Sequence, residues 1–158
     1  MSNPFYALAR NPLKFRLFLL TKLPSAFFSG VRLREINEEK CVVSVPCKWF
    51  SRNPFRSTYF ACLAMAAEMS TGALAMACLY KRKPAVSMLV LNVQGEYLKK
   101  AVRRTLFTCH AGREFRECVE KAVSSGEPQT LTATSTGQDD EGNIIANFTI
   151  TWSFKARI

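Results

Sequence analysis

The sequence predicts an α+β fold in which a curled antiparallel sheet wraps one long central helix, with an extra N-terminal helix ahead of it. Three observations carry that expectation. Residues 59–80 are apolar or small at nearly every position, with Glu68 the one charge, and a helix apolar all round is a buried one. Strand-like segments lie on both sides of it. The last of them alternates cleanly, with Ile144, Ala146, Phe148, Ile150, Trp152 and Phe154 against Asn147, Thr149, Thr151 and Ser153. A single buried helix among antiparallel hairpins is satisfied most economically by a sheet that curls around it.

In chain order, Pro12 opens a first helix, an apolar run follows to Leu23, and Pro24 closes it. This helix is basic and amphipathic. It reads as a helix packed on the edge of the domain, with a membrane-surface anchor as the alternative. Arg10, Lys14, Arg16 and Lys22 break up the apolar stretch, which argues against a secretory signal. Residues 30–36 and 40–45 read as strands joined by the turn Asn37-Glu38-Glu39, and a turn-rich loop covers 46–56. The central helix is expected over 57–80. Lys81-Arg82-Lys83 suits the negative end of its dipole, and Pro84 forbids continuation.

Residues 85–98 form a long strand, with Val86, Met88 and Val90 alternating against Ser87, Leu89 and Leu91. Residues 102–109 form another. Residues 113–124 have helical spacing through Phe115, Cys118, Val119 and Ala122, with an irregular extension of the sheet as the alternative. Residues 129–136 alternate again, and Asp139-Asp140-Glu141-Gly142-Asn143 is a hairpin turn into the last strand. No repeat, low-complexity tract or linker divides the chain. Residues 1–158 therefore read as one domain, with 1–28 as a helical extension.

Composition narrows the function. With 48% apolar and 22% charged residues the chain is globular rather than disordered. A net charge of +10 points to an anionic partner or a solubility device. Nucleic acid is disfavoured, because the basic residues are dispersed and no zinc finger or aromatic–Gly RNA signature is present. A membrane span over 59–80 is disfavoured as well. Glu68 falls near its midpoint, the run is rich in Ala, Gly and Ser, and the strands need a core partner. The six cysteines contain no CxxC pair and His110 is the single histidine, so ligands for zinc are scarce. Cys62 and Cys78 read as small buried hydrophobes, and the thiols as free in a reducing compartment such as the cytoplasm. His110 ends a strand without a Ser or Cys nucleophile motif and reads as structural.

Chemistry centres on Glu68. A carboxylate buried in an apolar helix must be paired, hydrogen-bonded or raised in pKa, and a raised pKa suits a general acid or base. A structural ion pair is the competing reading. Helical spacing sets Ala61, Ala64, Met65, Thr71, Gly72 and Ala75 near it, mostly small residues that leave room for a ligand or another helix. At the helix start, Ser57 or Thr58 is expected as the cap, with free amides from Tyr59 onward able to hold a carbonyl oxygen. Ser57 and Glu68 lie about 16 Å apart along the helix axis. One copy of the chain therefore cannot bring both to one carbonyl, whereas two antiparallel helices across a twofold axis can.

The stretch Asn53-Pro-Phe-Arg-Ser-Thr-Tyr-Phe-Ala-Cys-Leu-Ala-Met-Ala-Ala-Glu68-Met-Ser-Thr-Gly72 resembles the central-helix signature of thioesterase-like hotdog proteins. It is similar to that of the phenylacetate-pathway type of acyl-CoA thioesterase, which has an Asn, then His-Gly-Gly, then an acidic residue two turns on. Asn53, Tyr59-Phe60-Ala61 and Glu68 keep that spacing, and the element order matches from about residue 30 to 154. Tyr59-Phe60-Ala61 replaces His-Gly-Gly, which reduces the close approach that glycine permits.

The resemblance implies a homodimer, or a dimer of dimers, acting on an acyl-CoA or acyl-carrier thioester without metal or cofactor. Glu68 would activate water or attack the carbonyl, Asn53 would orient either, and amides of the segment from Ser57 and Thr58 through Tyr59, Phe60 and Ala61 would hold the oxyanion. Lys81, Arg82, Lys83, Lys99, Lys100, Arg103 and Arg104 are candidate cations for coenzyme A phosphates, with a solvated basic surface as the alternative. Phe27, Phe28, Phe50 and Phe55 are candidates for an acyl tunnel or for core. A non-catalytic acyl binder on the same fold is the rival function, and loss of His-Gly-Gly favours it.

Overall fold

The computed structural model describes residues 3–157. The expected domain 1–158 and extension 1–28 also include Met1, Ser2 and Ile158, which lie outside the described residues. Three short helices come first: α1 (Pro4–Ala9), α2 (Pro12–Lys22) and α3 (Pro24–Phe28). Each opens on a proline, whose fixed φ suits the first helical turn and whose missing N–H is no loss there. Asn3 and Asn11 cap the first two by accepting from Phe5 N and Lys14 N. α2 is the helix expected between Pro12 and Pro24, while the short helices α1 and α3 on either side of it were not expected.

Six strands form one antiparallel sheet in the order β1-β2-β4-β5-β6-β3. They are β1 (Arg32–Ile36), β2 (Cys41–Val45), β3 (Val86–Tyr97), β4 (Thr105–Cys109), β5 (Gln129–Gln138) and β6 (Ile144–Ala156). The long helix α4 (Phe60–Leu79) follows β2, and α5 (Gly112–Ser125) follows β4. Residues 112–125 thus resolve as helix rather than sheet. Phe115, Val119 and Ala122 form its buried stripe, and Gly126 ends it in the left-handed region that glycine takes without strain.

α4 lies across β2, β4 and β5, and α5 lies beside it over β5 and β6. The sheet curls around them as a hotdog. The core between the layers is built from Leu74, Phe107, Phe115, Phe148, Ile150 and Phe154, all buried. Phe107 lies against Gly137, where a β-carbon would come within 2.6 Å of the ring. In β6, Ala146, Phe148, Ile150, Trp152 and Phe154 are buried as the alternation predicts, but Ile144 is exposed because it sits beside the hairpin turn.

β3 is an edge strand, and the helices leave it largely bare. Leu89 and Leu91 are 64% and 53% exposed on the outer side. Val93 pairs with buried Ile150, yet Val93 is itself 46% exposed. A bulge between Val90 and Asn92 interrupts the register.

Candidate functional site

α4 is fixed to the sheet by polar contacts inside an otherwise apolar interface. Ser70 Oγ and Ser135 Oγ share a hydrogen bond of 2.7 Å, and the indole N–H of Trp152 donates to Thr71 Oγ1 at 2.9 Å. These bonds choose the rotational setting of a helix whose apolar surface alone would leave it free to turn. With Ser70 and Thr71 against the sheet, Ala61, Ala64, Met65 and Glu68 fall on the opposite, half-buried stripe.

Among the described residues no hydrogen bond or ion pair reaches the Glu68 carboxylate. Burial pushes its pKa above the ordinary carboxylate range, and no neighbouring charge opposes the shift. Its Oε1 lies over Gly72, where a β-carbon would stand 3.1 Å from it and 3.3 Å from Cζ2 of Trp152. Beside Glu68 runs a cleft of about 200 Å³ between α2 and α4, whose walls include Phe18, Leu19, Met69 and Met76. The sequence does not single out this cleft. Its nearest signal is the apolar face of α2, which does not tell where that face docks.

The start of α4 departs from expectation. The helix begins at Phe60, three residues later than predicted, with Tyr59 as its N-cap and no side-chain cap. Ser57 and Thr58 are drawn elsewhere. Ser57 donates its N–H and Oγ to Asn53 Oδ1, and Thr58 bonds the Ala101 carbonyl through both N–H and Oγ1. Asn53 spends its own side chain on this turn, also accepting from Phe55 N at 3.0 Å. The Cys62 amide turns back to Tyr59 O, which leaves the amides of Phe60 and Ala61 without a partner among the described residues. Those two amides are among the donors expected from the sequence. They stand about 10–12 Å along the axis from Glu68.

Around this helix start lies a second cleft, of about 460 Å³, lined by Asn53, Phe55, Tyr59, Phe60, Tyr97, Lys99 and Lys100 among others. Of the candidate cations, Lys99 and Lys100 line it. Lys81, Arg82 and Lys83 lie at the far end of α4. Arg82 grips Glu120 with two bonds of 2.7 and 2.8 Å, while Arg103 pairs with Asp140 and Glu141, and Arg104 is exposed. Phe28 and Phe50 are exposed, Phe27 carries the Arg16 guanidinium 4.0 Å above its ring, and only Phe55 reaches a cleft at the helix start. None of the four lines the cleft beside Glu68.

All six cysteines are free thiols. Cys62, in the first turn of α4, donates to Ser29 Oγ at 3.9 Å, and burial pushes its thiol up, so it is held protonated rather than activated. His110 is exposed beside Arg113 and Glu114, away from Glu68. Among the described residues no group of three or more His, Cys, Asp or Glu side chains is placed to hold a metal. α4 is long and apolar enough to span a membrane, but most of it is buried in the domain core.

Residues 14–154 match the family described as domain of unknown function DUF4442, and the chain belongs to that family. No curated protein matches the sequence. Solved structures show the same fold at low identity. A protein of unknown function from Pseudomonas aeruginosa, described as a probable thioesterase, superposes with a TM-score of 0.77 at 15% identity, covering 93% of this chain and 97% of the other. A thioesterase from Haemophilus influenzae gives 0.67 at 11%, covering 92% and 91%. Thioesterase superfamily member 2 from Mus musculus gives 0.66 at 13%, covering 97% and 98%. The fold is that of the thioesterase-like hotdog proteins.

Proposed function

We propose that the protein is a thioester hydrolase that removes an acyl group from coenzyme A or an acyl carrier, at a site shared between two copies of the chain. The observation that carries this reading is Glu68, a carboxylate on an apolar helix with no partner of its own and an apolar cleft beside it. A purely structural carboxylate in such a place is normally paired.

The edge of β3 supports the dimer. Its free edge and its exposed Leu89, Leu91 and Val93 form a pairing surface of the kind that proteins otherwise blunt. Two β3 edges joined antiparallel about a twofold axis continue the sheet and set the two α4 helices side by side, running in opposite directions. That arrangement brings the free amides of Phe60 and Ala61 in one copy toward Glu68 of the other.

In the reaction, Glu68 as carboxylate takes a proton from water, and the hydroxide adds to the thioester carbonyl. The two amides hold the resulting oxyanion. The C–S bond then breaks, and the proton on Glu68 passes to the leaving thiolate. Desolvation brings the base closer to neutral pH, where proton transfer in both directions is efficient. Asn53 acts as a positioning residue for the turn that leads into α4. Lys99 and Lys100 offer charge for the phosphates of the carrier.

The test is release of thiol from acyl-CoA thioesters of two to sixteen carbons, wild type beside Glu68→Gln. Turnover that drops at least ~100-fold in the variant supports the hydrolase. Turnover that persists in the variant overturns the role of Glu68, and tight acyl-CoA binding with no turnover by either protein replaces the hydrolase with the binder.

A further inference from the structure

We propose that the cleft between α2 and α4 is the acyl-chain pocket, and that the N-terminal helix α2, acting as its outer wall, restricts the substrate to medium-length chains of about six to eight carbons. This rests on the hydrolase reading of Glu68 and adds the substrate class to it.

The lining is the first ground. Phe18 and Leu19 of α2 face Met69, Ala73 and Met76 of α4, with Met88 of β3 beside them. Among the described residues, the charged side chains on the wall are Glu68 and Lys22. An apolar cleft of this kind favours an apolar occupant. Three methionines give a surface that adapts to a flexible chain.

Continuity is the second ground. Glu68 and Gly72 belong to the same wall, so a chain lying here ends at the carboxylate. Gly72 keeps that passage open, because a β-carbon there would crowd both Glu68 and Trp152.

Volume sets the length. An apolar cavity of about 150 Å³ takes benzene, so the cleft of about 200 Å³ has room for about eight carbons. Each methylene buried up to that point adds about fourfold in affinity, and methylenes beyond it add nothing.

The experiment measures binding of non-hydrolysable S-alkyl-CoA thioethers, from ethyl to hexadecyl, by calorimetry, alongside hydrolysis of the matching thioesters. Affinity is expected to rise by on the order of 100-fold from butyl to octyl and then level off. Phe18→Ala, which opens the wall, moves the break to longer chains. Ala73→Phe, which fills it, moves the break down to butyl. Phe18→Ala alone decides the matter if Ala73→Phe does not fold.

Affinity that climbs steadily to hexadecyl, that ignores chain length, or that is absent for every thioether overturns the pocket. So does a break that stays put in Phe18→Ala. Breaks that move as stated, without turnover by wild type, leave the pocket and remove the hydrolase. Turnover without a break does the reverse.

Discussion

The indole N–H of Trp152 donates to Thr71 Oγ1 at 2.9 Å, and that hydroxyl in turn donates to the Glu68 carbonyl at 2.8 Å. The chain of bonds runs from the last strand, through the helix face turned to the sheet, to the backbone of Glu68. Thr71→Val keeps the shape and strands a buried donor on Trp152. It should cost about 1–3 kcal/mol. Thermal unfolding followed by circular dichroism should show Tm lower by about 3–10 °C.

Gly72→Ala separates chemistry from stability. The new methyl meets Glu68 Oε1 at 3.1 Å, so the carboxylate must move. In the helix interior, alanine gains back about 1 kcal/mol over glycine, which offsets the crowding against Trp152. Thioester turnover should fall at least tenfold while Tm shifts by no more than ~3 °C. A variant that loses both together would mean that Gly72 serves packing alone.

The pH dependence has a fixed sign. Burial raises the folded-state pKa of Glu68 above its unfolded value of about 4.3. Between those two values the folded state binds the extra proton, so stability is greatest below the unfolded pKa and falls as pH rises through the folded one. Glu68→Gln removes that loss. Urea unfolding should find the variant more stable than wild type at pH 8 and closest to it near pH 4. Turnover runs the other way, rising with pH through an apparent pKa above the usual carboxylate range.

Val93→Asp tests the edge strand. Val93 is on the helix-facing side of β3 but uncovered in the single chain, and in the proposed edge-to-edge dimer a carboxylate there would be an unpaired charge at the seam. Sedimentation should give the mass of two chains for wild type and of one for the variant. Far-UV circular dichroism should stay native, and turnover should disappear.

Much of this was legible because it is written in local periodicity. The period-2 run of β6, the all-round apolarity of α4 and the isolated charge of Glu68 each need only a few neighbouring residues to be read. The start of α4 was not legible. Ser57 and Thr58 are good caps by residue type, but Thr58 is claimed by the carbonyl of Ala101, 43 residues away, and Ser57 by the Asn53 turn. The cleft beside Glu68 was hidden for the same reason. Phe18 and Leu19 are plain core residues by pattern, and only the docking of α2 onto α4 turns them into a wall.

The edge of β3 has a genetic corollary. If each working centre takes its acid from one chain and its amides from the other, two defective chains can repair each other. Phe60→Pro removes an amide at the first helical position, where proline is tolerated, and Tyr59 before it already has the extended backbone that proline requires. A heterodimer of Phe60→Pro with Glu68→Gln carries one centre with both lesions and one with neither. Co-expression of two silent alleles would restore activity to at most half per hybrid, a complementation that no protein with its centre inside one chain can show.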